Sequence, residues 1–313
     1  MIISASRRTD IPAFYSTWFI NRLKAGYVYV KNPMNSRQIS KVSLHSDVVD
    51  CIVFWTKNAA PMLDKLPLLD AMGYPYYFQW TITPYGKDVE CNLPDKAKIV
   101  DSFKKLSDKI GNQRIIWRYD PVIVSRQFPL EYHINNFDKL CHLLKGYTTK
   151  CIFSYVDLYA KTSKNAQNSI DSEINTQTMF KIAEYFSEIA KRNNISLETC
   201  SEQIELDQFG IEHSACISQQ VIENILGSAI CAKKQPGLRA FCKCIESIDI
   251  GAYDCCLHGC VYCYANTNEK VVLQNKNKHC ANSPLLIGSV CENDNAVTAR
   301  LSKSLRNAQI ELF

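Results

Sequence analysis

Residues 114–157 read RIIWRYDPVIVSRQFPLEYHINNFDKLCHLLKGYTTKCIFSYVD. The first run, RIIWRYDP from Arg114, is β-rich and ends in polar residues. Leu130 to Leu144 follows with helical patterning, and CIFSYVD from Cys151 is a second β-rich run. Both runs are apolar at successive positions, as strands are when both faces are buried. Strand, helix and strand at this spacing predict a parallel βαβ unit.

The same alternation recurs in both directions. Upstream lie IISAS from Ile2, CIVFW from Cys51 and YYFQWTIT from Tyr76. Downstream lie ISLET from Ile195 and IDIGAY from Ile248. Helix candidates between them are Phe14 to Lys24, Pro94 to Ile110, Thr176 to Arg192 and Ile217 to Leu226. Proline at the start of the second suits a first helical turn. Six or seven such units predict a (β/α) barrel or partial barrel of parallel strands. A doubly wound open sheet is the alternative. Residues 1–266 are expected to form the barrel-like domain. Residues 267–313, polar and Asn/Lys-rich before NSPLLIG and the ending SLRNAQIELF, are expected to pack on it as a segment and tail.

The chain has 313 residues, 46% of them apolar and 21% charged, the balance of a globular protein. Its net charge of +5 comes without a long Lys/Arg block, so a nucleic-acid partner is permitted but not indicated. The first residues, MIISASRRTDIPAFY, lack the features of a signal peptide. No stretch approaches the ~18 apolar residues of a membrane span. A cytoplasmic protein without membrane contact is therefore expected. There thiols stay reduced, and fifteen cysteines read as metal ligands or catalysts before they read as disulfides.

Polar residues gather just after the predicted strands. They include Arg7, Arg8, Thr9 and Asp10; Thr56, Lys57 and Asn58; Thr81 and Thr83; Arg118 and Asp120; Asp157; and Glu198. In a parallel barrel these ends share one rim, where active sites sit. Lys57 and Arg118 could grip a carboxylate or phosphate there. Asp120 and Glu198 could bind hydroxyls or move protons. Each is equally compatible with a structural ion pair or a helix cap.

The strongest local motif is Cys256-Leu-His-Gly-Cys260-Val-Tyr-Cys263, a C-x3-C-x2-C run directly after IDIGAY. Three thiolates this close converge only if the backbone curls, and Gly259 permits the curl. Close cysteine runs of this kind hold iron–sulfur clusters, and three ligands on four irons leave one iron open. Zinc is the alternative, with Cys255 or His258 completing the site. Cys200, Cys216, Cys242 and Cys244 form a second group, sufficient for an auxiliary 4Fe–4S cluster or a zinc ion. Unrelated buried thiols are the third option for them. Cys51, Cys141 and Cys151 are expected in the core. Cys91, Cys231, Cys280 and Cys291 carry no assignment as ligands.

C-x3-C-x2-C with an aromatic before the third cysteine resembles the signature of the radical S-adenosylmethionine (SAM) superfamily. GAYDCCLHGCVYCYAN resembles its spore photoproduct lyase-like branch. The resemblance implies that Cys256, Cys260 and Cys263 hold a 4Fe–4S cluster whose open iron binds SAM. It also implies a 5′-deoxyadenosyl radical, and places Tyr262 beside the adenine. SASRRTDIPAFY, FWTKN, the ETC and AC pair, the C-x-C followed by DIG-x-Y, YCYAN and the SLR…LF ending resemble the bacterial family DUF1848 nearly end to end. The radical SAM superfamily carries its cysteine loop after the first strand, whereas here it comes near the end. FWTKN, WTIT and WRYDPVIV resemble later strands in the correct order. The expectation is a circular permutation, with IDIGAY as first strand and IISAS as second. No Gly-Gly-Glu-type run follows IISAS to hold the SAM amino group, which leaves Arg7 or Asp10 as substitutes.

The expected function is thus a radical SAM enzyme acting on an unknown substrate, a nucleic acid, peptide or small molecule. It would receive electrons from a reductase or flavodoxin-type donor. The competing expectation is a non-catalytic binding protein stabilised by zinc or iron–sulfur sites, for which a fourth protein ligand at the three-cysteine site would argue.

Overall fold

The computed structural model describes residues 1–156, 174–239, 241–290 and 297–306. In chain order its strands are β1 (Ile2–Ala5), β2 (Tyr27–Asn32), β3 (Asn35–Ser43), β4 (Cys51–Thr56), β5 (Tyr76–Thr81) and β6 (Ile115–Val122). β7 (Lys150–Tyr155), β8 (Ser196–Thr199), β9 (Glu212–His213), β10 (Ile248–Asp249) and β11 (Thr298–Ala299) follow. Eight of these form one sheet in the order β10-β1-β4-β5-β6-β7-β8-β9. Every pairing in that sheet is parallel. From β1 to β9 the order never reverses, which is the winding of a barrel and not of a doubly wound sheet. The sheet is a partial barrel. As expected of a permuted order, IDIGAY lies beside IISAS: Ile3 pairs with Ile248 and Ser4 with Asp249.

Period-two alternation explains both layers of the core. Ile52, Phe54, Phe78, Trp117 and Phe153 face the long helices Lys96–Ile110, Leu130–Leu144 and Thr176–Arg192. There Phe137 stacks on Phe186 at 3.8 Å between centroids and on Trp117 at 5.2 Å. Truncating a ring packed this way costs about 3–5 kcal/mol. The intervening residues Cys51, Val53, Tyr77, Ile116 and Ile152 face the inside of the partial barrel. They pack against Cys216, Ile217, Ile222, Ile230, Cys244 and Ile245 from the stretch between β9 and β10. That stretch fills the interior, and the Tyr77 hydroxyl and Gln79 amide both donate to the Cys216 carbonyl at 2.8 Å.

Two elements differ from the sequence expectation. A hairpin of β2 and β3, extended by β11, forms a separate three-stranded sheet. The segment after residue 267 carries a helix, Glu269–Asn277, capped by Asn268, which accepts from the Val271 amide at 3.0 Å. Only Val272 of that helix is buried, so its hydrophobic period is nearly absent. Residues just beyond it dock on the helix Ser16–Ala25: Trp18 Nε1 donates to the Ser283 carbonyl at 2.9 Å. No helix among the described residues is long and apolar enough to cross a membrane. Asp157, Cys291 and the ending after Arg306 lie outside the described residues.

Candidate metal and cofactor site

β10 is two residues long, and side-chain hydrogen bonds hold it in place. The Asp249 carboxylate accepts from Ser4 Oγ at 3.0 Å, Ser6 Oγ at 2.6 Å and the backbone amides of Arg7 and Gly251 at 2.8 and 3.0 Å. This anchors the C-terminal end of β1 to the start of the cysteine loop. The approach leaves no room for a side chain at Gly251, where a Cβ would fall 2.1 Å from Ser6 Oγ and 2.6 Å from Ser6 Cβ. Further on, Tyr15 donates its hydroxyl to the Cys255 carbonyl at 2.6 Å.

The cysteine loop then docks on the segment after β5. The Val261 amide donates to the Val89 carbonyl at 3.0 Å, and the Asn92 amide donates to the His258 carbonyl at 3.0 Å. Gly259 turns the chain with φ of 68°, the left-handed conformation that the curl requires. Cys256, Cys260 and Cys263 thereby line one cavity of about 440 Å³ at the C-terminal ends of the strands. That volume is typical of a small-molecule site. Burial, and secondarily the neighbouring Cys263, push the Cys256 thiol well up. Burial likewise moves Cys260 up to about 12 and raises Cys263. Three half-buried thiols whose ionisation is disfavoured become thiolates readily only against bound cationic charge. Cys255 is turned elsewhere, its Sγ donating to the Ala252 carbonyl at 3.0 Å.

Two polar knots support the loop. Asp10 Oδ2 meets Thr56 Oγ1 at 3.0 Å, the Lys57 amide at 2.7 Å and His258 Nε2 at 2.7 Å. Its Oδ1 caps the Ile11–Phe14 turn through the Ala13 amide at 2.9 Å. Both oxygens of Asp10 are thus committed to joining the ends of β1 and β4 to the cysteine loop. The second knot is Glu90, 1% exposed, which accepts from Lys57 Nζ at 2.7 Å, Thr83 Oγ1 at 2.8 Å, Lys96 and the Tyr262 hydroxyl. Burial alone would raise this carboxyl, but Lys57 and Lys96 outweigh it and hold Glu90 at about 2. Lys57 also donates to the Tyr262 hydroxyl at 2.7 Å, fixing that ring on the cavity wall.

The second cysteine group borders the same cavity: Cys200, Cys216, Cys242 and Cys244 all line it. Cys200 and Cys216 touch, Sγ to Sγ, at 3.1 Å. The neighbouring Cys244 is the main cause that lowers Cys242 to about 6. Arg118, 3% exposed, donates to Cys216 Sγ at 2.9 Å while its other nitrogens hold Asp120. Burial raises Asp120, but Arg118 reverses the sign and keeps the carboxyl low. Trp55 packs against both Arg7 and Arg118, with guanidinium carbons 5.3 and 5.4 Å from its ring centroid.

Of the rim residues expected from sequence, Arg7, Asp10, Lys57, Arg118 and Asp120 line the cavity. Glu198 does not. It sits one inward-facing step below Cys200 on β8 and pairs with Lys150. Cys51, Cys141 and Cys151 are fully buried, as expected, and Cys91, Cys231 and Cys280 are exposed. Sequence reasoning gave no role to Glu90 or Asp249 and saw in His258 only an alternative zinc ligand. Among the described residues, no three His, Cys, Asp or Glu side chains stand ready to hold a single metal ion. A multi-iron cluster sets a different requirement, because each thiolate binds its own iron.

Fold and site define a parallel α/β partial barrel whose rim cavity is bordered by two groups of cysteines. Residues 2–265 match the family described as "Domain of unknown function (DUF1848)", and the chain belongs to that family. No curated protein matches it. One solved structure, described as a "putative alpha-L-fucosidase" from Bacteroides thetaiotaomicron, aligns at 10% identity with a TM-score of 0.29. The alignment covers 57% of this chain and 82% of that one. An overlap that slight carries no argument.

Proposed function

We propose that the chain is a radical SAM enzyme in which Cys256, Cys260 and Cys263 hold a 4Fe–4S cluster. The supporting observation is the convergence of these three half-buried thiols on a rim cavity of about 440 Å³, with neighbouring Cys255 turned away. The donor set suits the group: three soft thiolate ligands on a tight loop, with the cation Lys57 close enough to favour the Cys260 thiolate. When bound, such a cluster supplies an open iron for the amino and carboxylate groups of SAM and the electron that releases a 5′-deoxyadenosyl radical.

The chain's own residues bind, orient and exclude water. Asp249 and Gly251 set the loop against β1, and Asp10 with His258 fixes its rotation. Glu90 and Lys57 hold Tyr262 on the wall, where the family resemblance places an adenine. Arg7 and Arg118, both against Trp55, give the cavity a cationic side suited to an anionic group of SAM or substrate. The substrate is a nucleic acid, peptide or small molecule, and the proposal requires a reductase or flavodoxin-type electron donor.

The test is anaerobic reconstitution with iron and sulfide, then EPR of the reduced protein with and without SAM. A cluster signal that SAM shifts, and that a Cys256→Ala/Cys260→Ala/Cys263→Ala variant lacks, is the expected result. Zinc at these cysteines, with His258 as fourth ligand and no SAM-sensitive signal, would sink the proposal. It would leave a metal-stabilised binding protein.

A further inference from the structure

The geometry points to an anion-binding subsite, built on Arg7 and Trp55, that takes a carboxylate or phosphate group of the substrate. Giving that group to the substrate rests on the radical SAM reading; the subsite itself does not. Its basis is a pair of buried donors. Arg7 Nη2 and Trp55 Nε1 have no hydrogen-bond partner, and both residues line the cavity. The chain has four tryptophans, and the other three indoles all donate to backbone carbonyls. Trp18 reaches Ser283 at 2.9 Å, Trp80 reaches Lys57 at 3.2 Å and Trp117 reaches Ile82 at 2.9 Å. A buried donor left unpaired loses its hydration without replacement, so folded proteins nearly always supply a partner. A guanidinium and an indole N–H only donate. What completes both must accept, and beside a guanidinium a negatively charged acceptor is favoured.

Charge pairing leads to the same group. The neighbouring cations are already engaged: Lys57 by Glu90, Arg118 by Asp120, and Arg8 by Asp249 at 3.9 Å. Asp10 is taken by His258. The Arg7 side chain has no ion pair among the described residues. Its guanidinium carbon lies 5.3 Å from the Trp55 ring centroid, near enough for one anion to meet both donors. Arg118, with all three nitrogens hydrogen-bonded to Asp120, Gln79 or Cys216, adds its charge from 5.4 Å.

Position separates the subsite from SAM. The SAM amino and carboxylate groups belong on the open iron, and Tyr262, the expected adenine wall, is held by Lys57 and Glu90. Arg7, a cation, does not suit the SAM ammonium. Trp55 instead packs on the inner cluster that contains Cys216 and Cys244. An anion held there leaves the iron to SAM and orients the rest of the substrate in the cavity.

The test uses the full-length Cys256→Ala/Cys260→Ala/Cys263→Ala protein, labelled with nitrogen-15 at tryptophan, so that neither cluster nor SAM contributes. Inorganic phosphate and malonate are titrated at constant ionic strength while NMR follows the indole N–H signals, with Trp55→Phe as the assignment. The Trp55 signal is expected to move saturably with at least one probe, and the tighter probe tells phosphate from carboxylate. Arg7→Gln should weaken that binding by about tenfold or more, and Arg7→Lys, which keeps the charge but loses the fork, by less. The Trp18, Trp80 and Trp117 signals report folding; if Arg7→Gln disturbs them, Arg7→Lys carries the comparison. In reconstituted cluster protein, Arg7→Gln should show the SAM-induced EPR shift at the same SAM concentration as the parent. A Trp55 signal that neither probe moves saturably, or equal affinity in the Arg7 variants, would overturn the inference. Loss of the SAM response in Arg7→Gln alone would give the anion to SAM and overturn it too. A parent protein without any SAM response would defeat the substrate assignment together with the radical SAM reading, while the indole titration still decides the anion site.

Discussion

Replacing Glu90 by glutamine tests whether the second polar knot supports the cysteine loop. The amide keeps the size of the carboxylate and can still accept from Thr83 and Tyr262, but Lys57 and Lys96 lose their shared counter-charge. Glu90 is held at about 2 against an ordinary 4.5. At about 1.4 kcal/mol for each tenfold change in proton affinity, that is worth about 3 kcal/mol. Removing one partner of a buried ion pair costs about 3–5 kcal/mol, so the two routes agree. The sign follows from a depressed carboxyl: the contribution is complete above pH 4.5 and disappears as the pH falls toward 2. Urea unfolding of Glu90→Gln beside the parent protein should show a deficit of about 3 kcal/mol at pH 7, shrinking steadily below pH 4.5. Because Tyr262 is anchored on Glu90 and Lys57, the same variant should also alter the SAM-induced EPR shift. A deficit under about 1 kcal/mol at pH 7, or one that does not change with acid, would contradict this account of the knot.

Three further outcomes are expected. Gly251→Ala drives a methyl against Ser6, whose Oγ is tied to Asp249 at 2.6 Å and cannot move aside, so about 1–3 kcal/mol of stability should be lost. Adding Ser6→Ala should recover part of it, read as the urea midpoint. Cys255→Ser should leave the iron content of the reconstituted protein unchanged, because that thiol faces the Ala252 carbonyl. Cys256→Ser, Cys260→Ser or Cys263→Ser should each reduce it. His133, lowered to about 4 chiefly by burial, should remain neutral in the folded protein at pH 5 by NMR titration of its ring. Its neutral form contributes stability above pH 6.5 that is lost as the pH falls toward 4, so a ring already titrating near 6.5 would contradict the packing.

The strands were legible because burial on both faces writes itself as continuous apolar sequence. CIVFW and YYFQWTIT needed no partner to be recognised. The helix Leu130–Leu144 was legible for a related reason, since His133, Phe137, Leu140, Cys141 and Leu144 recur on one buried face. The hairpin β2–β3 was not legible, because exposed and half-buried residues interrupt its alternation. The three-cysteine loop announced itself through spacing. Glu90 could not: it sits in the loop PYGKDVEC, and its importance arises only where Lys57, Lys96 and Tyr262 meet it. Asp249 reads as part of a strand, while its hydroxyl partners Ser4 and Ser6 lie at the far end of the sequence. Hydrogen bonds between residues 243 and 245 positions apart leave no local period to detect.

The pairing of β10 with β1 also sets a clock. Ser4 waits for Asp249, 245 residues later, before the first strand has its outer neighbour. At ~5–20 residues per second of synthesis, that interval is on the order of tens of seconds. Contacts this distant in sequence form late, because closing so long a loop costs entropy that local contacts do not. Throughout that time Asp10 lacks His258, and the wall that receives the cysteine loop has nothing to receive. Any cluster at Cys256, Cys260 and Cys263 can therefore be installed only after β1 to β9 have all been made.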